Sequence, residues 1–337
     1  MYRNSIKISD VAAGHVQGIA IDKKREYMYF SFTTLFVKAD MNGNVVGSVR
    51  GLAGHLGCIA YNYDDGRVYG SLEYKRDSIG AGIRKYLCDR EDLDNRDGFY
   101  VAAFDVEKID KTDMDAEKDG VMTTVHLSEV LGDYEADGHR FGCSGIDGLT
   151  FAPKPGETGG KKYLYVAYGI YGDVDRDDND CQVILRYDTD DLRRYETPLC
   201  QSEIHRNGPD KYQSKYFVYT GNTTYGIQNL EYDENSGLMF AAVYRGSKAQ
   251  FPNYPMFVID MNKAAVSDEK EYLSLAEIGC KHEASGVYGI EFPYGSTGII
   301  SLGDGYFYFS EDFKCENGYG TEVKLYRFDE KDGFVQA

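Results

Sequence analysis

The chain has 337 residues, 42% of them hydrophobic, with 30 Tyr, 17 Phe, no Trp and 38 Gly. Its 55 acidic and 37 basic side chains leave a formal charge of −18, a field that opposes nucleic acid or any other polyanionic partner. No segment is long and apolar enough to read as a membrane helix, so no membrane partner is expected either.

In chain order, the first strand-like segment is SIKISD (5–10), followed by a short phrase that the chain repeats. The phrase reads VQGIAID (16–22), LGCIAYN (56–62), IDGLTFA (146–152), IQNLEYD (227–233) and VYGIEFP (287–293). Its first, fourth and sixth columns are apolar throughout. The third reads Gly18, Cys58, Gly148, Asn229 and Gly289, a position kept small for close approach of another backbone.

Each copy leads into a second strand: YMYFSF (27–32), RVYGSLEY (67–74), YLYVAYG (163–169), LMFAAVY (238–244) and YFYFSED (306–312). Third strands follow that end in Asp40, Asp105, Asp188, Asp260 and Asp329, acids suited to Asx-type turns. Fourth strands are expected in NVVGSV, VMTTVHL, KYFVYTG and EYLSLAEI. Units of four short strands repeating from about 40 residues upward are the pattern of propeller blades.

On these residues the chain resembles the β-propeller proteins. Its repeats are loosely similar to NHL and gluconolactonase-like ones, while five-bladed propeller relatives include calcium-activated nucleotidases and several glycosidases. The resemblance implies an all-β fold, one domain over 1–337 and five four-stranded blades, whereas six would need a hidden blade in the second or third unit. SIKISD is expected to complete the last blade and leave no free sheet edge.

The resemblance also implies that the inner strands line a channel, and that lead-in loops and second-to-third connections open on its ligand face. Those connections are long at 74–98, 170–180, 245–255 and 311–320. At the channel mouth, His15 and His55 stand where the other copies carry Gly, as proton-transfer or metal groups. Asp147, Glu231 and Glu291 are carboxylates inside apolar strands, and join them as catalytic candidates. Gln17, Gln228 and Tyr288 share the second column, while Lys75, Arg76, Arg84, Arg245 and Lys248 gather in the long loops as receivers of an anionic group. Asp173, Asp175 and Asp177 in GDVDRDDND suggest a calcium loop without the Gly and Glu of an EF-hand.

Two functions fit. One is a binding propeller for a small polar or anionic molecule, a glycan or a protein segment. The other is a calcium-assisted hydrolase of a lactone, phosphoester or glycoside, and a protein-interaction scaffold stands third. Calcium is the one cofactor the pattern raises. No GxSxG, P-loop, HExxH or GxGxxG motif directs the chain toward serine-hydrolase, ATPase, zincin or dinucleotide chemistry. Cys58, Cys88, Cys143, Cys181, Cys200, Cys280 and Cys315 form no CxxC pair and are odd in number, so no disulfide framework is expected. With no signal-peptide pattern in MYRNSIKISD, the expectation is a cytoplasmic protein, and a secreted chain lacking its leader would read the same.

Overall fold

The computed structural model describes residues 2–87, 90, 92–331 and 333–337; Cys88 lies outside them. Five small sheets stand in a ring, the arrangement of a five-bladed β-propeller. Blade one is Val16–Ile21, Tyr27–Phe32, Leu35–Asp40 and Val45–Arg50; blade two is His55–Asn62, Arg67–Tyr74, Gly98–Phe104 and Met122–His126. Blade three is Cys143–Ala152, Tyr163–Ile170, Cys181–Tyr187 and Ser214–Tyr219. Blade four has three regular strands, Thr224–Asp233, Leu238–Tyr244 and Met256–Asp260.

Within each blade the strands run antiparallel, and their alternate residues pack against the neighbouring sheet. Phe36 of blade one stacks on Phe104 of blade two at 4.3 Å, and Phe240 of blade four meets Phe307 of blade five edge-on at 5.0 Å. Such aromatic layers explain how a chain without Trp fills the wedges between blades.

Blade five departs from the sequence reading. Its inner strand is Ile299–Gly303, which turns at Asp304 and Gly305 into Tyr306–Cys315; VYGIEFP does not enter the channel. Tyr288–Gly289 instead pairs with Cys280–Lys281, and Ile290 bridges to Met256 on the outer side of blade four. The physical reason is loop length: Gly298 supplies the small residue directly before a strand that a tight hairpin joins to YFYF. Gly298 has a φ of +147°, and a Cβ there would lie 2.7 Å from Ile19 Cγ1 of blade one. EYLSLAEI is divided as well. Glu271–Tyr272 runs parallel to the outer strand of blade three, and Leu275 bridges to Ile259 of blade four.

The expected closure is present. Ser5–Val11 pairs antiparallel with Gly318–Asp329, Ile6 opposite Val323 and Ile8 opposite Thr321, and Gly333–Gln336 covers the rest of the same edge. The strand-end acids act in turns. Asp40 accepts from the Asn42 and Asn44 N–H groups, Asp188 from Asp190, Asp260 from Asn262 and Asp329 from Lys331. The long connection of blade two carries the helix Ser78–Leu87, started by an Asp77 carboxylate that accepts the Gly80 N–H at 2.9 Å.

Ile6 and Ile8 are 2% and 3% exposed. Truncating both to Ala should cost at least about 4 kcal/mol, given about 2–5 kcal/mol for each buried Ile→Ala change. Denaturant unfolding of I6A/I8A checks this, and a cost no larger than that of a surface substitution would mean the N-terminal strand does not hold the ring shut.

Candidate functional site

The inner strands converge at the face where the long connections open, and residues of four blades, most of them of polar type, line a cavity of about 170 Å³ there. Blade one contributes His15 and Gln17. The Gln17 amide donates to Thr33 Oγ1 at 3.2 Å, and its Nε2 lies 3.2 Å from His15 Nε2. Burial lowers the basicity of His15, only partly opposed by the charge of Asp312.

Blade two contributes His55, Glu73 and Lys75. The Lys75 ammonium lies 2.6 Å from Glu73 Oε1, both side chains being about 5% exposed, and donates to the Ser144 carbonyl at 2.9 Å; Asp77 is 3.6 Å away. Burial works against the charge of Lys75, but Glu73 and Asp77 more than offset it and hold the group as an ammonium. The other Glu73 oxygen accepts the Ile146 N–H at 3.1 Å. His55 Nδ1 is 3.7 Å from Glu73, beyond hydrogen-bond distance. Among the described residues, His55 Nδ1 and Ser71 Oγ are buried polar atoms without a protein partner. Burial, with help from Lys75 and His15, pushes the His55 imidazole down to about 3, so it is neutral near pH 7.

Blade three brings in Asp147, and blade four Gln228, Tyr225 and Tyr244. Burial first, then the Glu73 charge, raises the Asp147 carboxyl well above its usual range against the opposing effects of Lys75, the Cys58 N–H and the Gln228 amide. Two glycines make this crowding possible. A Cβ at Gly57 would sit 2.1 Å from Asp147 Oδ1, and one at Gly145, where φ is +130°, would sit 2.1 Å from Glu73 Oε2.

Of the residues singled out in the sequence, His15, His55, Asp147, Gln17, Gln228 and Lys75 therefore share one neighbourhood. Glu231 does not. It lies at the opposite end of the channel, in a basin of about 720 Å³ with Tyr61, Tyr63 and Lys162, accepts the Ser301 N–H at 2.8 Å, and is pushed up to about 8 by burial. Glu291 and Tyr288 stand on the outer edge of blade four, as the corrected strand order requires; Glu291 pairs with Arg245 at 2.5 Å, both about half exposed. Arg76 is held by Asp97 at 2.6 Å and Arg84 points to Asn95 at 3.4 Å. Lys248 is buried beneath the 170–180 loop, donating to Asn179 at 2.8 Å and paired with Asp180. Asp173, Asp175 and Asp177 are exposed, Asp173 serving to accept the Asp175 N–H, and no group of three or more His, Cys, Asp or Glu is gathered for a metal among the described residues.

Glu73 is the principal residue that the sequence reading missed. The signal was present in SLEYK: an acid in an otherwise apolar second strand, two residues before a lysine. The rule that flagged Asp147 applies to it equally.

Together, fold and site define a five-bladed propeller with a polar pocket at one mouth of its channel. No protein-family model matches the sequence, and no curated protein matches it. The chain is similar in structure to a functionally unknown protein from Desulfotomaculum acetoxidans DSM 771, at 10% identity, covering 97% of this chain and 70% of that one with a TM-score of 0.40. It is also similar to the GH43 β-1,3-galactosidase BT3683 (12% identity, 95% and 92% covered, TM-score 0.44). A third is the PQQ domain of pyranose dehydrogenase from Coprinopsis cinerea (10% identity, 91% and 81% covered, TM-score 0.44). The likeness is one of architecture.

Two outcomes are expected of this cluster. Glu73→Gln leaves Lys75 buried with only the more distant Asp77 as counter-ion and should cost about 3–5 kcal/mol in denaturant unfolding; a cost below about 1 kcal/mol would show that Asp77 and water already compensate the ammonium. For His55 the unfolded chain takes up a proton near 6.5 and the folded one only near 3, so its contribution to stability is present above 6.5 and lost on acidification. Relative to His55→Phe, the wild type should lose about 1.5 kcal/mol between pH 6.5 and 5, at about 1.36 kcal/mol per unit. A difference that stays flat with pH would mean that the imidazole is open to protons.

Proposed function

We propose that this propeller binds a small polar molecule at the channel mouth between blades one to four. The observation that carries the reading is His55 Nδ1, a buried polar atom without a protein partner beside a ready-made cavity. Burying such an atom unsatisfied costs about 1–3 kcal/mol, which a ligand group would recover on binding. The surrounding geometry supports the same view. Lys75 and Glu73 are locked by one another and by the Ser144 carbonyl and the Ile146 N–H, so that wall of the pocket is shaped before any ligand arrives. Binding is preferred to calcium-assisted hydrolysis because Glu231 and Glu291, which that chemistry wants beside His15, His55 and Asp147, lie elsewhere in the ring.

The test is a thermal-shift screen of polar metabolites, neutral and charged, on the wild type and on His55→Phe. At least one compound should raise the wild-type melting temperature and lose about tenfold or more in affinity in the variant, the equivalent of about 1.4 kcal/mol. An empty screen, or hits indifferent to His55→Phe and Gln228→Ala alike, would sink the reading.

A further inference from the structure

We infer that the molecule taken up at this mouth is uncharged and hydroxyl-rich, a small polyol or a single sugar ring, and not an anion. The inference rests on the binding reading above and names its ligand class.

Of the cations that sequence alone offers to an anionic ligand, all but Arg84 are paired with a carboxylate. Lys75 is neutralised by Glu73 and bonded to the Ser144 carbonyl, Arg76 is taken by Asp97 and Arg245 by Glu291. Lys248 is buried against Asp180 and Asn179 under another loop, and Arg84, which contacts Asn95 at 3.4 Å and keeps one nitrogen without a protein partner, does not line the cavity. Both histidines at the mouth are neutral near pH 7, since burial holds each below its ordinary value. An incoming carboxylate or phosphate would leave water for a site that holds two carboxyl groups and no free positive charge, a desolvation cost with nothing to offset it. An ammonium would enter beside the Lys75 charge, next to an Asp147 carboxyl that burial raises well above its usual range.

A hydroxyl meets neither obstacle. It donates and accepts, so it suits the His55 ring on the cavity wall in either tautomer. The Gln228 amide and the Tyr244 phenol, which burial keeps protonated with a value pushed up to about 12, supply further groups of both kinds on the same wall. The cavity, about 170 Å³, has room for one small ring.

A matched series separates the ligand classes while holding ring size constant: glucose, glucuronate and glucosamine, the corresponding galactose set, and inositol, titrated by calorimetry at pH 7 into wild type, His55→Phe and Glu73→Gln. Neutral members should bind at least about tenfold more tightly than both charged partners, and His55→Phe should remove that binding. Glu73→Gln, its fold checked by circular dichroism, frees the Lys75 charge and should move the preference toward the uronates by about tenfold. If a uronate or an amino sugar binds the wild type as well as the neutral ring, in a manner lost with His55→Phe, the ligand class is overturned while the pocket stands. If no member binds, the inference fails, and the pocket is then judged by the wider screen and its own variants.

Discussion

Five sheets meet on one axis only if the residue each places nearest that axis leaves room for the backbone of the next. The small column meets this requirement around the whole ring. A Cβ on Gly18 would be 2.7 Å from the Ile59 nitrogen, one on Gly148 would be 2.7 Å from Ile227, and one on Gly298 equally near Ile19. Where the column is not glycine, its side chain bonds to a neighbouring blade. The Cys58 thiol reaches the Leu149 carbonyl at 3.5 Å, and the Asn229 amide donates to Gln17 and Ser296 at 2.8 and 2.9 Å. The axis is thereby closed at mid-height, and the two ends of the channel become separate concavities.

This constraint also explains the chemistry at the mouth. Once the strands are that close, polar side chains one residue above the constriction have no water to retreat into, and they must satisfy one another. Lys75 and Glu73 do so as an ion pair, Asp147 does so through the Cys58 N–H and the Gln228 amide, and His55 does so only in part. The unsatisfied nitrogen is thus a product of the same crowding that builds the pocket.

Most of the fold was legible because apolar alternation and hairpin spacing are local, and they recur. The inner strands of blades one to four and the closing role of Ser5–Val11 follow from that pattern. Blade five was misplaced because VYGIEFP satisfies the same columns as an inner strand but lies too far from YFYF to form a tight hairpin with it. TGIISLG, with Gly298 in the small position, answers the columns less well and the geometry better. The site was half legible for a related reason. Residues on inner strands inherit their place from the repeat, so His15, His55, Asp147 and Gln228 were grouped correctly. Loop cations such as Arg76, Arg245 and Lys248 have partners set by tertiary packing, and no spacing in the chain announces Asp97, Glu291 or Asp180.

The shared outer edge of blade five has a kinetic side. Ser5 meets Glu322 across a sequence separation of 317, and the Asn4 carbonyl and the Ala337 N–H both bond to Leu325. During synthesis Ser5–Val11 must therefore wait, its apolar face uncovered, until Gly318–Asp329 has been made. Closure of so long a loop is slow and comes last. In the interval the ring is an open arc with two unpaired borders, the form most exposed to chaperones, to proteases and to mispairing with another nascent copy.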